Sequence, residues 1–402
     1  MSNPVLAFPS FRYFFLSRIA TTMSNQMLMV IVAWQMYDIT HSAYDLGMVG
    51  LAQFVPVLAL CLLVGQVADR YDRRRILMVC LIGQCAIAVL LIAATLGGWL
   101  GRDVILLASV GLGVAKAFQM PTQQALLPTL VPLSVLPRAL AINSAGSQFA
   151  TIVGPAIGGF IYVAGAQIVY GACAAMCLFS MLMIYLLRYV RAPSRREPVS
   201  LQSLFAGIGF IWQRKEVLGA ISLDLFAVLF GGATALLPIF ARDVLHTGSW
   251  GLGLLRSAPA VGALLVSLYL ARYPIERRVG KIMFAAVAMY GLATLVFALS
   301  SWFVLSLVAL MFSGAFDMVS VVVRQSLVQL ETPDVMRGRV SAVNSIFIGA
   351  SNQLGEFESG VTAGFLGAVP SVVLGGAGTI LIVALWMKLF PALTYREKLT
   401  AS

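Results

Sequence analysis

The sequence is poor in charged residues, which make up 11% of its 402 positions, while hydrophobic residues make up 60%. An average soluble domain carries about 25% charged residues, so a soluble globule of this composition could not cover its surface with polar groups. The two histidines and five cysteines form no CxxC pair and no other metal-ligand spacing. We therefore expect no metal site and no cofactor.

Catalytic sequence patterns are also missing. The chain contains no HExxH and no GxSxG, which are typical of metalloproteases and of serine hydrolases. It also lacks GxxxxGK[ST], the loop with which many ATPases bind phosphate. These absences argue against a membrane-embedded enzyme and against a protein driven directly by ATP.

What the sequence does contain is a series of long apolar segments. Each is about 20 residues or more, which is long enough to cross a bilayer as an α-helix. A lone strand would leave its backbone polar groups unpaired in lipid. The pattern therefore predicts an all-α membrane protein with twelve transmembrane helices. The predicted segments are 14–37, 44–68, 76–97, 103–126, 139–163, 166–189, 217–241, 250–271, 281–300, 302–324, 339–365 and 371–390.

The basic residues indicate how the chain is oriented. The sequence has 27 Lys and Arg residues against 16 Asp and Glu, a net charge of +11. An even number of helices puts both termini on one side, and most basic residues, Arg324 among them, fall in connections on that side. Cytoplasmic loops carry such an excess. We therefore predict a multi-pass protein of the cell inner (plasma) membrane with both termini in the cytoplasm, and no binding of nucleic acid.

The longest polar interruption, at 191–203, separates six predicted helices from six. We predict an N-terminal bundle over 1–190, a cytoplasmic linker over 191–215 and a C-terminal bundle over 216–402. The linker ends in apolar residues at helical spacing, which predicts a short helix at the membrane interface; a regulatory binding segment is the alternative. These apolar residues are Leu204, Phe205, Ile208, Ile211 and Trp212.

The two predicted bundles also share an internal repeat. Several positions recur about 200 residues later in the same order, which indicates two pseudo-symmetric six-helix halves. The matches pair Arg138, Asn143, Gly154 and Gly159 with Arg339, Asn344, Gly355 and Gly360, Gly47 with Gly253, and Ala117-Phe118-x-Met120 with Ala315-Phe316-x-Met318.

The connection between the second and third predicted helices holds a compact charge cluster. It reads GQVADRYDRRR over 65–75. An acid and several arginines at helix ends can pair in one conformation and separate in another. The stretch resembles the loop signature of the major facilitator superfamily, G-x-L-A-D-R-x-G-R-[RK], although Asp72 replaces the second glycine. The matching residues that we assign to a conformational latch are Gly65, Asp69, Arg70, Arg73 and Arg74.

The resemblance implies a transporter in which the first, fourth, seventh and tenth helices line a central cavity. A second motif in the fifth predicted helix, with Gly154, Pro155, Gly158 and Gly159, resembles a signature of exporters that work by antiport. The alternative is that these residues only allow close helix packing and do not indicate the direction of transport. The stretch SNQLGEFESG over 351–360 is similar to the bacterial drug and siderophore exporter branch, of the enterobactin-exporter and macrolide-efflux types.

Ionisable residues inside a membrane usually face a cavity or a partner. The four acids inside predicted helices are candidates for proton coupling, with substrate contact and a structural ion pair as the alternatives. One glutamate is expected to pair with Arg256. Ala108 stands where the superfamily's usual coupling arginine belongs, which weakens the case for protons. The proton candidates are Asp224, Asp317, Glu356 and Glu358.

Amides, methionines and aromatic rings accompany these charges on the cavity-lining helices. Such a surface suits a bulky amphipathic ligand better than a sugar or an ion, and helix packing is the alternative for each residue. The candidates for the substrate cavity are Asn25, Gln26, Met29, Lys116, Gln119, Phe226, Phe230 and Arg256.

These features predict a secondary active transporter that exports a bulky amphipathic small molecule, of drug or siderophore type, by alternating access and proton antiport. Its partners are then a small-molecule substrate, protons and the lipid bilayer, and we expect a monomer. An importer or uniporter of a small metabolite or lipid-like substrate is the alternative.

Overall fold

The structure is a computed structural model that describes Val5 and residues 7–188 and 201–398. Side chains are described in these ranges except at 61–62, 65–66, 68–70, 201–204, 334–335, 337 and 342. All regular structure in the described ranges is helical. The predicted all-α fold is therefore confirmed.

Six long helices and one short helix make up the first part of the chain. Each long helix covers most of one predicted apolar segment, as expected from local hydropathy. They are α1 (Pro9–Thr40), α2 (Ala43–Arg70), α3 (Arg73–Leu96), α4 (Arg102–Leu126), α5 (Leu136–Tyr162) and α6 (Ala166–Leu186), followed by the short α7 (Leu201–Gln213).

The second part of the chain contains six long helices and two short ones. They are α8 (Lys215–Phe230), α9 (Leu237–Ile239), α10 (Ser249–Arg272), α11 (Val279–Leu299), α12 (Phe303–Glu331), α13 (Asp334–Leu366), α14 (Ala368–Leu389) and α15 (Pro391–Thr394). Among the described residues, nine helical segments are long and apolar enough to cross a membrane. Helices α1, α5 and α13 are not among the nine, although 32, 27 and 33 residues give them the length to span.

The seventh predicted segment differs from a continuous helix. Helix α8 ends at Phe230, and a 3₁₀ turn, α9 and a π-helical turn carry the chain on to Val244. The break lies at Gly231 and Gly232, where the backbone meets its neighbours closely. A Cβ at Gly232 would lie 2.2 Å from the Gly355 carbonyl oxygen. Discontinuous helices of this kind are a recurrent feature of transporters.

The described residues form two compact units. Unit 1 takes its described residues from Met1–His41, Ala52–Pro198 and Gly248–Ser257. Unit 2 takes them from Ser42–Leu51, Val199–Thr247 and Ala258–Ser402. Each unit therefore includes the first residues of one helix, α10 or α2, whose remainder belongs to the other unit.

Glycines related by the repeat lie where the segments 248–257 and 42–51 contact the rest of their units. In unit 1, a Cβ at Gly159 of α5 would lie 2.4 Å from the Ser249 carbonyl oxygen and 3.0 Å from Gly253 Cα. In unit 2, a Cβ at Gly360 of α13 would lie 2.7 Å from Gly47 Cα. The matched glycines thus mark helix crossings where the backbones are too close for any side chain.

Helix α7 has the predicted position at the end of the linker, while residues 191–200 lie outside the described part of the chain. Ile211 is 4% exposed and packs with Val217 and Val340 in a core cluster of unit 2. Phe205 and Trp212 are exposed. The helix therefore packs one side on protein and leaves aromatic side chains on its surface.

The C-terminal segment is fastened to unit 2 by Arg396. Its guanidinium pairs with Glu216 at the start of α8 and with Glu331 at the end of α12. The Arg396 carbonyl also accepts a hydrogen bond from the Gly280 N–H at 3.1 Å. Burial lowers the pKa of Arg396, and the two carboxylates beside it favour its charged form.

Candidate functional site

A polar cavity lies within unit 1. It has a volume of about 250 Å³ and is lined by side chains of α1, α2, α3 and α4. Within α1 and α4 most lining residues recur three or four positions apart, so the helical period turns them to one side. Five residues assigned to the substrate cavity from the sequence come together here: Asn25, Gln26, Met29, Lys116 and Gln119.

Eight further residues line the cavity, and three of them change its character. Arg18 adds a second cation, and its Nε donates to Ser147 Oγ at 3.0 Å. Gln53 and Gln84 add amides from α2 and α3. A polar residue alone in an apolar helix usually faces a cavity, and this signal would have revealed both glutamines. The other five are Thr22, Leu28, Leu112, Met120 and Gln123.

Gln84 joins the amides of the cavity into a cluster. Its Nε2 donates to Asn25 Oδ1 and to Gln119 Oε1, each at 3.2 Å. Gln84 is 1% exposed and Gln119 is 5% exposed, yet Gln84 Oε1 and Gln119 Nε2 have no hydrogen-bond partner among the described residues. An unpaired buried polar atom costs about 1–3 kcal/mol. A polar group on a ligand can remove this penalty.

The charge of the cavity is positive. Arg18 and Lys116 line it, and none of its described lining residues is acidic. The remaining surface combines amide groups with leucine and methionine side chains. The cavity is therefore suited to the polar, acceptor-rich part of an amphipathic molecule.

Unit 2 contains a related cluster with an acid in it. Tyr290 of α11 donates from its hydroxyl to the Gly231 carbonyl at 3.1 Å, and this hydroxyl lies within electrostatic range of the Asp317 carboxylate of α12. Tyr290 and Gly231 follow Gln84 and Asn25 by the same 206 residues, and Asp317 follows Gln119 by 198. The repeat therefore places Asp317 where unit 1 has a neutral amide.

Asp317 and Asp224 have different surroundings. Asp317 is half-buried and makes no ion pair with the described residues. Asp224 of α8 is 7% exposed and pairs with Arg324 of α12, which is 2% exposed. The sequence-based prediction put Arg324 in a connection at the end of the tenth segment, whereas the structure places it inside α12, which continues to Glu331, and pairs it with Asp224. This contact favours the structural ion pair for Asp224.

The two glutamates of α13 also lie in unit 2. Glu356 Oε1 accepts a hydrogen bond from Thr234 Oγ1 at 3.5 Å, and its carboxylate lies close to the backbone of Gly50. Glu358 Oε1 accepts from Thr362 Oγ1, one turn further along the helix, at 2.8 Å. The pairing of one glutamate with Arg256, which lies in α10, stays a prediction.

The two phenylalanines assigned to the cavity belong to the packing of unit 2. The Phe226 ring lies 5.2 Å from the ring of Trp386, beside a buried apolar cluster. Phe230 ends α8 and packs at Gly375 and Gly378 of α14. Neither residue lines the polar cavity of unit 1. For Phe226 these contacts favour the packing alternative.

The glycine motif of α5 brings α1 close to the cavity. A Cβ at Gly154 would lie 2.8 Å from Gln26 Cβ, and a Cβ at Gly158 would lie 3.1 Å from Met27 Cα. A Cβ at Gly253 of α10 would lie 2.5 Å from the Pro155 carbonyl oxygen. The motif therefore sets the position of a cavity-lining helix.

The charge cluster between α2 and α3 is described in part. Gly65, Asp69 and Arg70 lie on α2, but the contacts of these three residues are outside the described part of the structure. Arg73 Nη1 donates to the Ala125 carbonyl at the end of α4 at 2.9 Å. Arg74 donates to the Tyr185 carbonyl of α6. The two arginines thus join the start of α3 to the ends of two other helices.

Asp72, which replaces the usual second glycine of the loop signature, has a structural task of its own. Its Oδ1 accepts from the backbone N–H groups of Arg74 and Arg75, at 2.8 and 3.3 Å. It is therefore the N-cap of α3. Asp72 has a φ of −65°, so the turn does not need glycine at this position. The carboxylate instead stabilises the turn by capping α3.

Comparisons with known proteins agree with these features. A family model described as "Transmembrane secretion effector" matches residues 3–401. Enterobactin exporters EntS of Citrobacter koseri and Escherichia coli are each 27% identical, over 95% and 93% of this chain and 92% and 90% of their own lengths. The structure of a variant of the nucleoside transporter NupG is similar with a TM-score of 0.75, covering 95% of this chain and 100% of its own, at 13% identity. A bacterial homologue of the human lysosomal transporter Spinster gives a TM-score of 0.71, covering 98% and 97%, at 13% identity.

Proposed function

The chain belongs to the Transmembrane secretion effector family of the major facilitator superfamily, and from this premise we propose that it is a proton-driven exporter of an amphipathic small molecule. It is a multi-pass membrane transporter, and its relatives are transporters and not enzymes. The excess of basic residues on one side supports an inner-membrane orientation with both termini in the cytoplasm. In this proposal the protein acts as a monomer.

The polar cavity of unit 1 carries the proposal. Ligand pockets usually measure about 300–1,000 Å³, so a cavity of about 250 Å³ has room for the polar part of a bulky molecule rather than for all of it. The unpaired amide atoms of Gln84 and Gln119 would bind hydrogen-bonding groups of the substrate. Lys116 and Arg18 would favour a neutral or anionic amphipath over a lipophilic cation.

Direction and coupling rest on separate observations. Relatives named as enterobactin exporters favour export of a siderophore-like molecule over import. Asp317 is the proposed proton carrier, because it stands in the repeat position of the unit 1 cluster and lacks an ion-pair partner among the described residues. Proton release and substrate binding would alternate as the two halves change access.

Ligand binding tests the cavity. Purified protein is screened by thermal shift against siderophores, macrolides and lipophilic cations, and we expect an anionic or neutral amphipath to raise the Tm. Lys116→Gln should weaken binding of that ligand about tenfold or more, because a hydrogen bond to a charged group is lost. Lys388→Gln, at an exposed position near the end of α14, is the control. Equal binding by both variants would remove Lys116 from the site.

Transport tests the direction and the driving force. The ligand is offered to inside-out vesicles whose lumen is acidified, and an exporter coupled to protons accumulates it. Collapse of the pH gradient should abolish accumulation. Uptake only into right-side-out vesicles would establish import, and accumulation that survives collapse of the gradient would exclude proton antiport.

A further inference from the structure

A basic depression lies at the start of α3, apart from the polar cavity. It has a volume of about 550 Å³. Because α3 begins at Arg73, its first turn lies at one end of a membrane-crossing helix, at the depth of lipid headgroups. The lining residues are Asp72, Arg74, Arg75, Met78, Val79 and Tyr185.

An apolar groove continues from this depression along α3 and α4. Its volume is about 470 Å³, and Arg75 and Val79 line both spaces. Gly83 lies eight residues beyond Arg75, which is about 12 Å along an α-helix. The groove therefore runs from the basic end of the helix into the hydrocarbon region. Its other lining residues include Val67, Ile76, Gly111, Val114 and Phe118.

The charges in the depression favour an anion. Arg75 is exposed, and its guanidinium makes no hydrogen bond or ion pair with the described side chains. Arg74 lies 5.3 Å from the centre of the Tyr185 ring and donates to the carbonyl of that residue. Asp72, the one acid among the described lining residues, is engaged in capping α3. The positive end of the helix dipole adds to the attraction.

Glycine keeps the groove open. A Cβ at Gly83 would meet no other described atom within 4 Å, so the space beside this glycine is free. Val79 is 68% exposed and Val114 is 38% exposed. An elongated apolar chain can lie against this surface, with its polar end at the arginines.

We propose that the basic depression and the apolar groove together bind one anionic phospholipid. The phosphate lies against Arg75 and Arg74, and one acyl chain lies in the groove past Val79 and Gly83. Basic pockets between helices at a membrane surface are suited to anionic headgroups. A zwitterionic lipid has no net charge, so a second arginine should add less to its binding than to that of an anionic lipid. This proposal holds whichever way the protein transports and whatever its substrate is.

Charge removal tests the headgroup contact. Detergent-purified protein is titrated with phosphatidylglycerol and with phosphatidylcholine, and bound lipid is counted by native mass spectrometry. Arg75→Gln should weaken phosphatidylglycerol binding about fivefold, the effect of one arginine near a membrane surface, and leave phosphatidylcholine unchanged. Arg277→Gln, an exposed arginine just before α11, is the control and should change neither lipid.

Filling the groove tests the acyl contact without changing charge. Gly83→Leu should weaken phosphatidylglycerol binding about fourfold for each methylene group displaced, while a dihexanoyl analogue is little affected. Gly171→Leu is the control, because Gly171 of α6 is also a helical glycine whose Cβ would meet no described atom within 4 Å.

Several results would overturn the proposal. One is equal affinity of the wild type for both lipids. Another is the same loss of binding in Arg75→Gln and Arg277→Gln, or in the two leucine variants. Competition by millimolar inorganic phosphate as strong as that by phosphatidylglycerol would show a site for free anions instead of a lipid site.

Discussion

The ion pair between Asp224 and Arg324 gives a sharp test of how unit 2 is held together. Asp224 is 7% exposed and Arg324 is 2% exposed, so water cannot replace either partner. Removing one member of a buried pair costs about 3–5 kcal/mol because the other charge stays buried without compensation, whereas replacing both by uncharged residues leaves no buried charge behind. The effect of substituting either residue on stability should therefore depend strongly on whether the other residue is still charged.

We expect Asp224→Asn and Arg324→Gln each to lower the free energy of unfolding by about 3–5 kcal/mol. For a domain of roughly 150–250 residues this loss corresponds to a decrease in Tm of about 6–20 °C. The double variant should recover most of the loss. Thermal unfolding in detergent, followed by a thiol-reactive dye or by loss of the monodisperse peak, measures all four proteins of the cycle.

The pair of Arg102 and Asp103 provides the control. Its atoms are 3.4 Å apart, but its side chains are 44% and 93% exposed, so Asp103→Asn should leave the Tm unchanged. Single variants of the buried pair that melt like wild type, or a double variant whose loss is the sum of the two, would refute the reasoning. Proton-driven transport by a stable double variant would also exclude Asp224 as the proton carrier.

Three further predictions concern coupling, helix packing and the C-terminal segment. Asp317→Asn should abolish accumulation driven by a pH gradient in inside-out vesicles while exchange of substrate without a gradient persists; full accumulation would remove this acid from the proton path. Gly158→Leu should destabilise the protein by about 1–3 kcal/mol because its side chain would overpack against Met27, and a melting curve that matches Gly171→Leu would contradict the packing role. Arg396→Gln should lower stability by about 1–2 kcal/mol, between the values for surface and buried pairs, whereas the exposed Lys398→Gln should not; equal Tm values for both would show that the C-terminal contact does not stabilise unit 2.

The sequence by itself determined the membrane class and the approximate position of each long helix. This was possible because hydropathy over about 20 residues is a local property that the bilayer imposes on every spanning segment. The repeat and the charge cluster at 65–75 were enough to identify the superfamily. The cavity candidates Asn25 and Met29 of α1, and Lys116 and Gln119 of α4, also followed from their residue types and from the helices that the resemblance assigns to the cavity.

Only the tertiary structure decided which helices bring their polar residues together. Asp224 and Arg324 are 100 residues apart, and Gln84 reaches Asn25 and Gln119 from a third helix. Such contacts depend on the rotation of each helix about its axis and on its neighbours. The end of α8 at Phe230 could not be predicted for the same reason, because the close backbone approach beside it, at Gly232, involves a helix more than 100 residues away in the chain. Hydropathy fixes where a chain crosses the membrane, but packing between distant segments fixes what each polar group meets.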